Sequence, residues 1–115
     1  MRRWFTLALL CACAHHEPAL PPPQTYEQQR AAEIERKQRD YFEEYHTAQR
    51  LDCGRRCTLA HEVCSKARRI CEITEANPQD QGLTAYCSVA SNRCEKADRQ
   101  LRFECRCWST GPRVD

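Results

Sequence analysis

The chain is 115 residues long, which is room for one small domain and not for two. Charged residues make up 30% and ten residues are Cys, while the large aliphatics are sparse, so a large apolar core is excluded and covalent staples are needed. The formal charge of +2 rests on Arg2 and Arg3; the rest of the chain is balanced, which argues against a nucleic-acid binder.

Met1-Arg2-Arg3 is a short positive segment followed by an apolar run from Trp4 to Leu10. That run is far short of the ~18 apolar residues of a membrane span and reads as the core of a secretory signal. Next comes Leu10-Cys11-Ala12-Cys13. This order resembles the lipobox of bacterial lipoproteins: Leu at −3, a small residue at −1, then the modified Cys. The resemblance covers about the first fourteen residues, with Cys11 a mild departure. It implies that residues 1–12 are removed and that Cys13 becomes a lipidated N-terminus. Ala14 after Cys13 implies export to the outer membrane. Ala12-Cys13-Ala14 also fits an ordinary A-x-A cleavage site, which would release a soluble secreted or periplasmic protein starting at His15. Either route leads to an oxidising compartment.

Residues 13–25 have no hydrophobic period. Pro18, Pro21, Pro22 and Pro23 predict a stiff extended tether, reaching at most ~3.1 Å per residue and holding the folded part off the lipid surface. His15 and His16 are adjacent there, but two neighbouring His fall short of the four ligands of a structural metal site. Residues 26–52 open on a Gly- and Pro-free stretch rich in Glu, Gln, Arg and Ala, which predicts a charged helix. Ala31, Ile34, Tyr41, Phe42, Tyr45 and Ala48 form a thin apolar stripe along it. The stripe is expected to pack on the second half of the chain, the alternative being a docking face for a partner.

The second half carries eight cysteines. Cys57, Cys64 and Cys71 are seven residues apart, as are Cys87 and Cys94. Seven residues are two helical turns, so each set lines one helix face. Ala60, Ala67, Ala90 and Ala97 follow three residues after a Cys, and small residues let two helices approach closely. Asn77-Pro78 and Gly82 mark a break, with Asn77 or Asp80 as the N-cap of a following helix. The two helices then form an antiparallel hairpin over residues 53–108. Cys71 and Cys87 are equidistant from Gln79, and so are Cys64 and Cys94; Ala67–Ala90 and Ala60–Ala97 centre half a residue earlier.

Residues at one level of the hairpin come within bridging distance, which pairs Cys71 with Cys87 and Cys64 with Cys94. At the open end, Cys53 and Cys57 must share Cys105 and Cys107. A nested arrangement, Cys57–Cys105 and Cys53–Cys107, centres on Gln81 and Asp80. The crossed arrangement keeps Cys53–Cys105 on Gln79 but moves Cys57–Cys107 to Gly82. Nesting spreads the misfit and is the preferred expectation, with the helix fraying near Cys105. The pattern is similar to the twin-cysteine helical hairpins of small oxidised proteins, the CHCH type, but with a spacing of seven rather than ten. That analogy extends to architecture and to no function. Signal and hairpin together resemble the small Cys-rich lipoproteins of bacteria with high-GC genomes.

Cys53, Cys57, Cys105 and Cys107 could instead form a four-thiolate zinc site at the open end, although Cys-x-Cys spacing fits such a site poorly. His46 and His61 have no partners in the sequence that would make a catalytic set. Arg55-Arg56 and Arg68-Arg69 are basic doublets, read as solvated. Trp108 caps the open end or anchors a partner, and residues 109–115 form a flexible tail. The expectation is an all-α protein, a disulfide-stapled antiparallel helical hairpin preceded by a charged amphipathic helix. Its expected role is that of a non-catalytic envelope lipoprotein without cofactor, held on the periplasmic side of the outer membrane by lipid on Cys13, with an envelope protein as possible partner. The alternative is a thiolate metal-binding or metal-sensing envelope protein.

Overall fold

The computed structural model describes residues 17–47 and 53–107. These contain three helices, α1 (Tyr26–Thr47), α2 (Cys53–Ala76) and α3 (Gln81–Glu104), and no strand. α1 starts at a reciprocal cap. The Gln28 N–H donates to Thr25 Oγ1 at 3.1 Å, and Gln28 Oε1 accepts from the N–H groups of Gln24 and Thr25. α2 ends where Pro78 enters a tight turn, closed by the Asp80 N–H on the Asn77 carbonyl at 3.0 Å. Asp80 then caps α3 by accepting from the Leu83 N–H at 3.1 Å.

α2 and α3 form the antiparallel hairpin, and α1 lies in the groove between them. The inner seam is Ala60, Ala67, Ala90 and Ala97, all buried. A second stripe on each helix faces α1. Around the loop end Ile70, Ile73, Leu83 and Tyr86 close over Ala31 and Ile34. Around the open end Leu59 and Leu101 close over Tyr45. Each fully buried Leu or Ile contributes roughly 1.5–3 kcal/mol, so α1 supplies apolar burial that the hairpin by itself lacks. The helix stripe thus packs on the chain's own second half; Ala48 lies outside the described residues.

α1 runs parallel to α3 in a single register. Gln28 donates to Asp80, Gln38 to the Ala90 carbonyl and Tyr45 to the Ala97 carbonyl, each pair 52 residues apart. Gly82 serves the first of these contacts. A Cβ there would stand 2.8 Å from Gln28 Nε2, so a side chain would push Gln28 off the loop.

The proline-rich segment departs from the expected free tether. Residues 17–25 lie along α1 and α3. Leu20 packs on the loop-end cluster, the Tyr86 hydroxyl donates to the Pro21 carbonyl at 2.8 Å, and Glu17 pairs with Arg93 at 2.9 Å. The physical reason is that an extended Pro-rich strand has no internal hydrogen bonds. Its carbonyls therefore accept from side chains, and its one large aliphatic residue finds a groove.

Candidate functional site

The feature most peculiar to this chain is the cysteine ladder on the outer edge of the α2–α3 seam. Cys64 is bonded to Cys94 and Cys71 to Cys87, with Cα atoms 4.7 and 4.8 Å apart. Both pairs are those expected from the centre at Gln79. The Ala positions explain the close approach, because nothing larger than a methyl group separates the helix backbones at the adjacent levels.

The open end corrects the nested expectation. Cys53 is bonded to Cys105 and Cys57 to Cys107, with Cα separations of 5.5 Å in both. The Cys105 N–H still donates to the Leu101 carbonyl at 2.7 Å, so Cys105 keeps the level that α3 assigns it, opposite Cys53. Its own backbone is extended, with φ −137° and ψ 150°, and the chain leaves the helix there. Cys57 sits one turn above Cys53, about 6 Å along the axis, and two extended residues span about the same distance. The segment therefore folds back along α2 and delivers Cys107 to Cys57. All four thiols of the possible zinc set are in disulfides.

Between the two apolar clusters lies a polar layer that sequence reasoning missed. Gln38 is fully buried, and its Nε2 donates to the Val63 carbonyl at 3.0 Å and the Ala90 carbonyl at 2.9 Å. Its Oε1 accepts from Arg93 Nη1 at 3.2 Å. Arg93 also holds Glu35 at 2.8 Å, both side chains only 5% exposed, and grips Glu17 through Nε and Nη2 at 3.0 and 2.9 Å. Burial works against the Arg93 charge, but hydrogen bonds to Glu17 and Glu35 outweigh it and its pKa is raised. The Arg93 guanidinium conversely holds the Glu17 carboxyl below its ordinary range, chiefly through the direct hydrogen bond. A signal for Gln38 existed in the sequence. It fills the gap in the apolar stripe between Ile34 and Tyr41 at helical spacing. Nothing comparable pointed to Arg93.

A second arginine is buried at the open end. Arg56 lies over the Tyr45 ring, 5.4 Å from its centroid, donates to the Tyr45 hydroxyl and pairs with Glu104. Its Nε is buried with no hydrogen-bond partner among the described residues. The doublet Arg55-Arg56 is therefore split: Arg55 is exposed on Glu44, whereas Arg56 is structural and not solvated as expected. Arg68, Arg69 and His61 are exposed on α2. His46 stands edge-on to Phe42, and its pKa is lowered, first by burial and then by Lys96. Cys13, His15, His16 and Trp108 lie outside the described residues.

No helix among the described residues is long and apolar enough to cross a membrane. Nor do the described residues contain a cluster of three or more His, Cys, Asp and Glu able to hold a metal ion. No protein family matches the chain, and neither curated proteins nor solved structures return a match. The arrangement is therefore read from its own chemistry: a bundle in which four disulfides tie α2 to α3 and to the segment just after it, with a neutralised charge at mid-height.

Proposed function

We propose that this chain is a non-catalytic lipoprotein of the bacterial cell envelope, held to a membrane by lipid on Cys13 and offering a rigid helical platform to another envelope component. The observation that carries the reading is the pairing of eight cysteines in four bridges, two between α2 and α3 and two between α2 and the segment just after α3. Such a framework persists where thiols are oxidised, which is where the signal-like segment before Cys13 would send the chain. The outer membrane is the proposed location because Ala14 follows Cys13. Bridges that close sequence separations of 16 to 52 residues each contribute about 2–4 kcal/mol, which suits a small domain exposed outside the cytoplasm.

Metabolic labelling with a fatty-acid analogue tests the anchor. The wild-type chain takes the label and Cys13→Ser does not, while the bundle of the variant still forms because Cys13 is no part of the ladder. Label retained by Cys13→Ser would remove the anchor from the account.

A further inference from the structure

The docked tether sets where a lipid on Cys13 can be. As residue number rises from Glu17 to Pro21, the α3 partner falls from Arg93 to Tyr86, so the tether runs antiparallel to α3. Glu17, the first described residue, therefore lies on the α1–α3 face, nearer the open end than Pro21. Cys13 is four residues before Glu17, a reach of at most about 14 Å. That is little more than one helix diameter. A bilayer holding Cys13 must therefore come within about that reach of Glu17, and this face is the part of the bundle nearest to it.

α3 presents a stripe of three residues there. Lys96, Arg99 and Phe103 follow one another at spacings of three and four, which places them on one line of the helix. Glu17 and Pro18 share a shallow cavity of about 300 Å³ with Lys96 and Arg99, so the stripe borders the point where the chain enters the bundle. Both cations are exposed and neither makes an ion pair among the described residues. The neighbouring carboxylates are largely engaged, Glu17 with Arg93 and Asp98 with Arg102, leaving Glu95 on the flank. Phe103 is 88% exposed and, with Tyr26, one of the two large apolar side chains left exposed among the described residues.

We propose that Lys96, Arg99 and Phe103 form the face on which the bundle lies against its own membrane, the two cations over anionic headgroups and the ring at the headgroup–acyl boundary. The occupant is a bilayer surface containing anionic lipid. The inference rests on the lipid anchor proposed above. Each cation close to an anionic surface favours the docked orientation roughly fivefold. Lipid insertion supplies the attachment, and the stripe supplies the orientation.

The test uses the full lipidated chain in phosphatidylcholine bicelles with and without phosphatidylglycerol, carrying a trace of gadolinium-chelating lipid. With phosphatidylglycerol, amide broadening centres on Lys96, Arg99 and Phe103 and spares the exposed Arg68 on α2. Lys96→Glu with Arg99→Glu reduces the docked population by more than tenfold, while the chain remains bicelle-bound; both sites are exposed, so folding is preserved. Phe103→Ser weakens the broadening in either background. Broadening spread evenly over the bundle, centred on α2, or unchanged by charge reversal overturns the proposal and leaves the stripe to a protein partner. A chain that fails to partition into bicelles at all overturns the anchor, and this inference with it.

Discussion

Arg93→Met is the most informative single perturbation of the bundle. Arg93 is the cation of a buried pair, and removing one partner of such a pair costs about 3–5 kcal/mol because the other is left charged and desolvated. Three contacts go at once: Glu35 at 2.8 Å, the Gln38 oxygen at 3.2 Å and the Glu17 carboxylate at 2.9 Å. Glu35 keeps Arg39 at 2.9 Å, whose head is half exposed, and Glu17 returns to water, so the cost belongs at the lower end, about 3 kcal/mol. Glu35→Gln is milder, about 1–2 kcal/mol, because Arg93 retains its two-point grip on Glu17. The double variant Arg93→Met with Glu35→Gln leaves neither charge buried without its partner and falls well short of the summed single costs. Guanidinium unfolding with the disulfides intact, followed by helical circular dichroism, measures all three. A loss below about 1 kcal/mol for Arg93→Met, or strict additivity in the double variant, would refute the reasoning from burial.

Two further outcomes follow from the same geometry. Glu17 titrates below the usual glutamate range because it accepts from Arg93, so tether docking is fully stabilised above the unfolded carboxyl's pKa and weakens as pH falls through the depressed folded value. A pH titration of the Glu17 carboxyl by NMR should show that depression and its loss in Arg93→Met; titration at or above the ordinary value would contradict the clamp. Among the bridges, Cys64–Cys94 closes a separation of 30 residues and Cys71–Cys87 one of 16. Replacing Cys64 and Cys94 by Ala should therefore cost a few tenths of a kcal/mol more than replacing Cys71 and Cys87, read by the same unfolding assay; a reversed order would show that packing at the seam outweighs chain entropy.

The hairpin was legible because helical periodicity turns sequence spacing into position. Seven-residue steps place Cys64 and Cys71 on one face, and a common centre at Gln79 names their partners across the loop. The same rule holds for Cys53 and Cys105, since Cys105 is still hydrogen-bonded into α3. It fails at Cys107, beyond the helix end, where level along an axis has no meaning and only chain reach decides; treating Cys105 and Cys107 alike produced the nested expectation. Arg93 and Glu35 were illegible for another reason. Both are residue types that normally face water, and their burial depends on meeting each other across 58 residues. The docked tether was hidden likewise. Its partners Tyr86 and Arg93 lie 65 and 76 residues further on, and a Pro-rich strand carries no period to announce them.

The central claim joins a lipid-bearing Cys13 to a fully oxidised ladder, and one measurement addresses both halves. The protein is isolated natively from the envelope with thiols alkylated at lysis, and its intact mass and non-reduced peptide map are recorded. The account predicts a chain beginning at acylated Cys13, no alkylation at the eight ladder cysteines, and the linkages Cys53–Cys105, Cys57–Cys107, Cys64–Cys94 and Cys71–Cys87. A chain beginning at His15, alkylated ladder cysteines with bound zinc, or a Cys64–Cys71 linkage along one helix would contradict it.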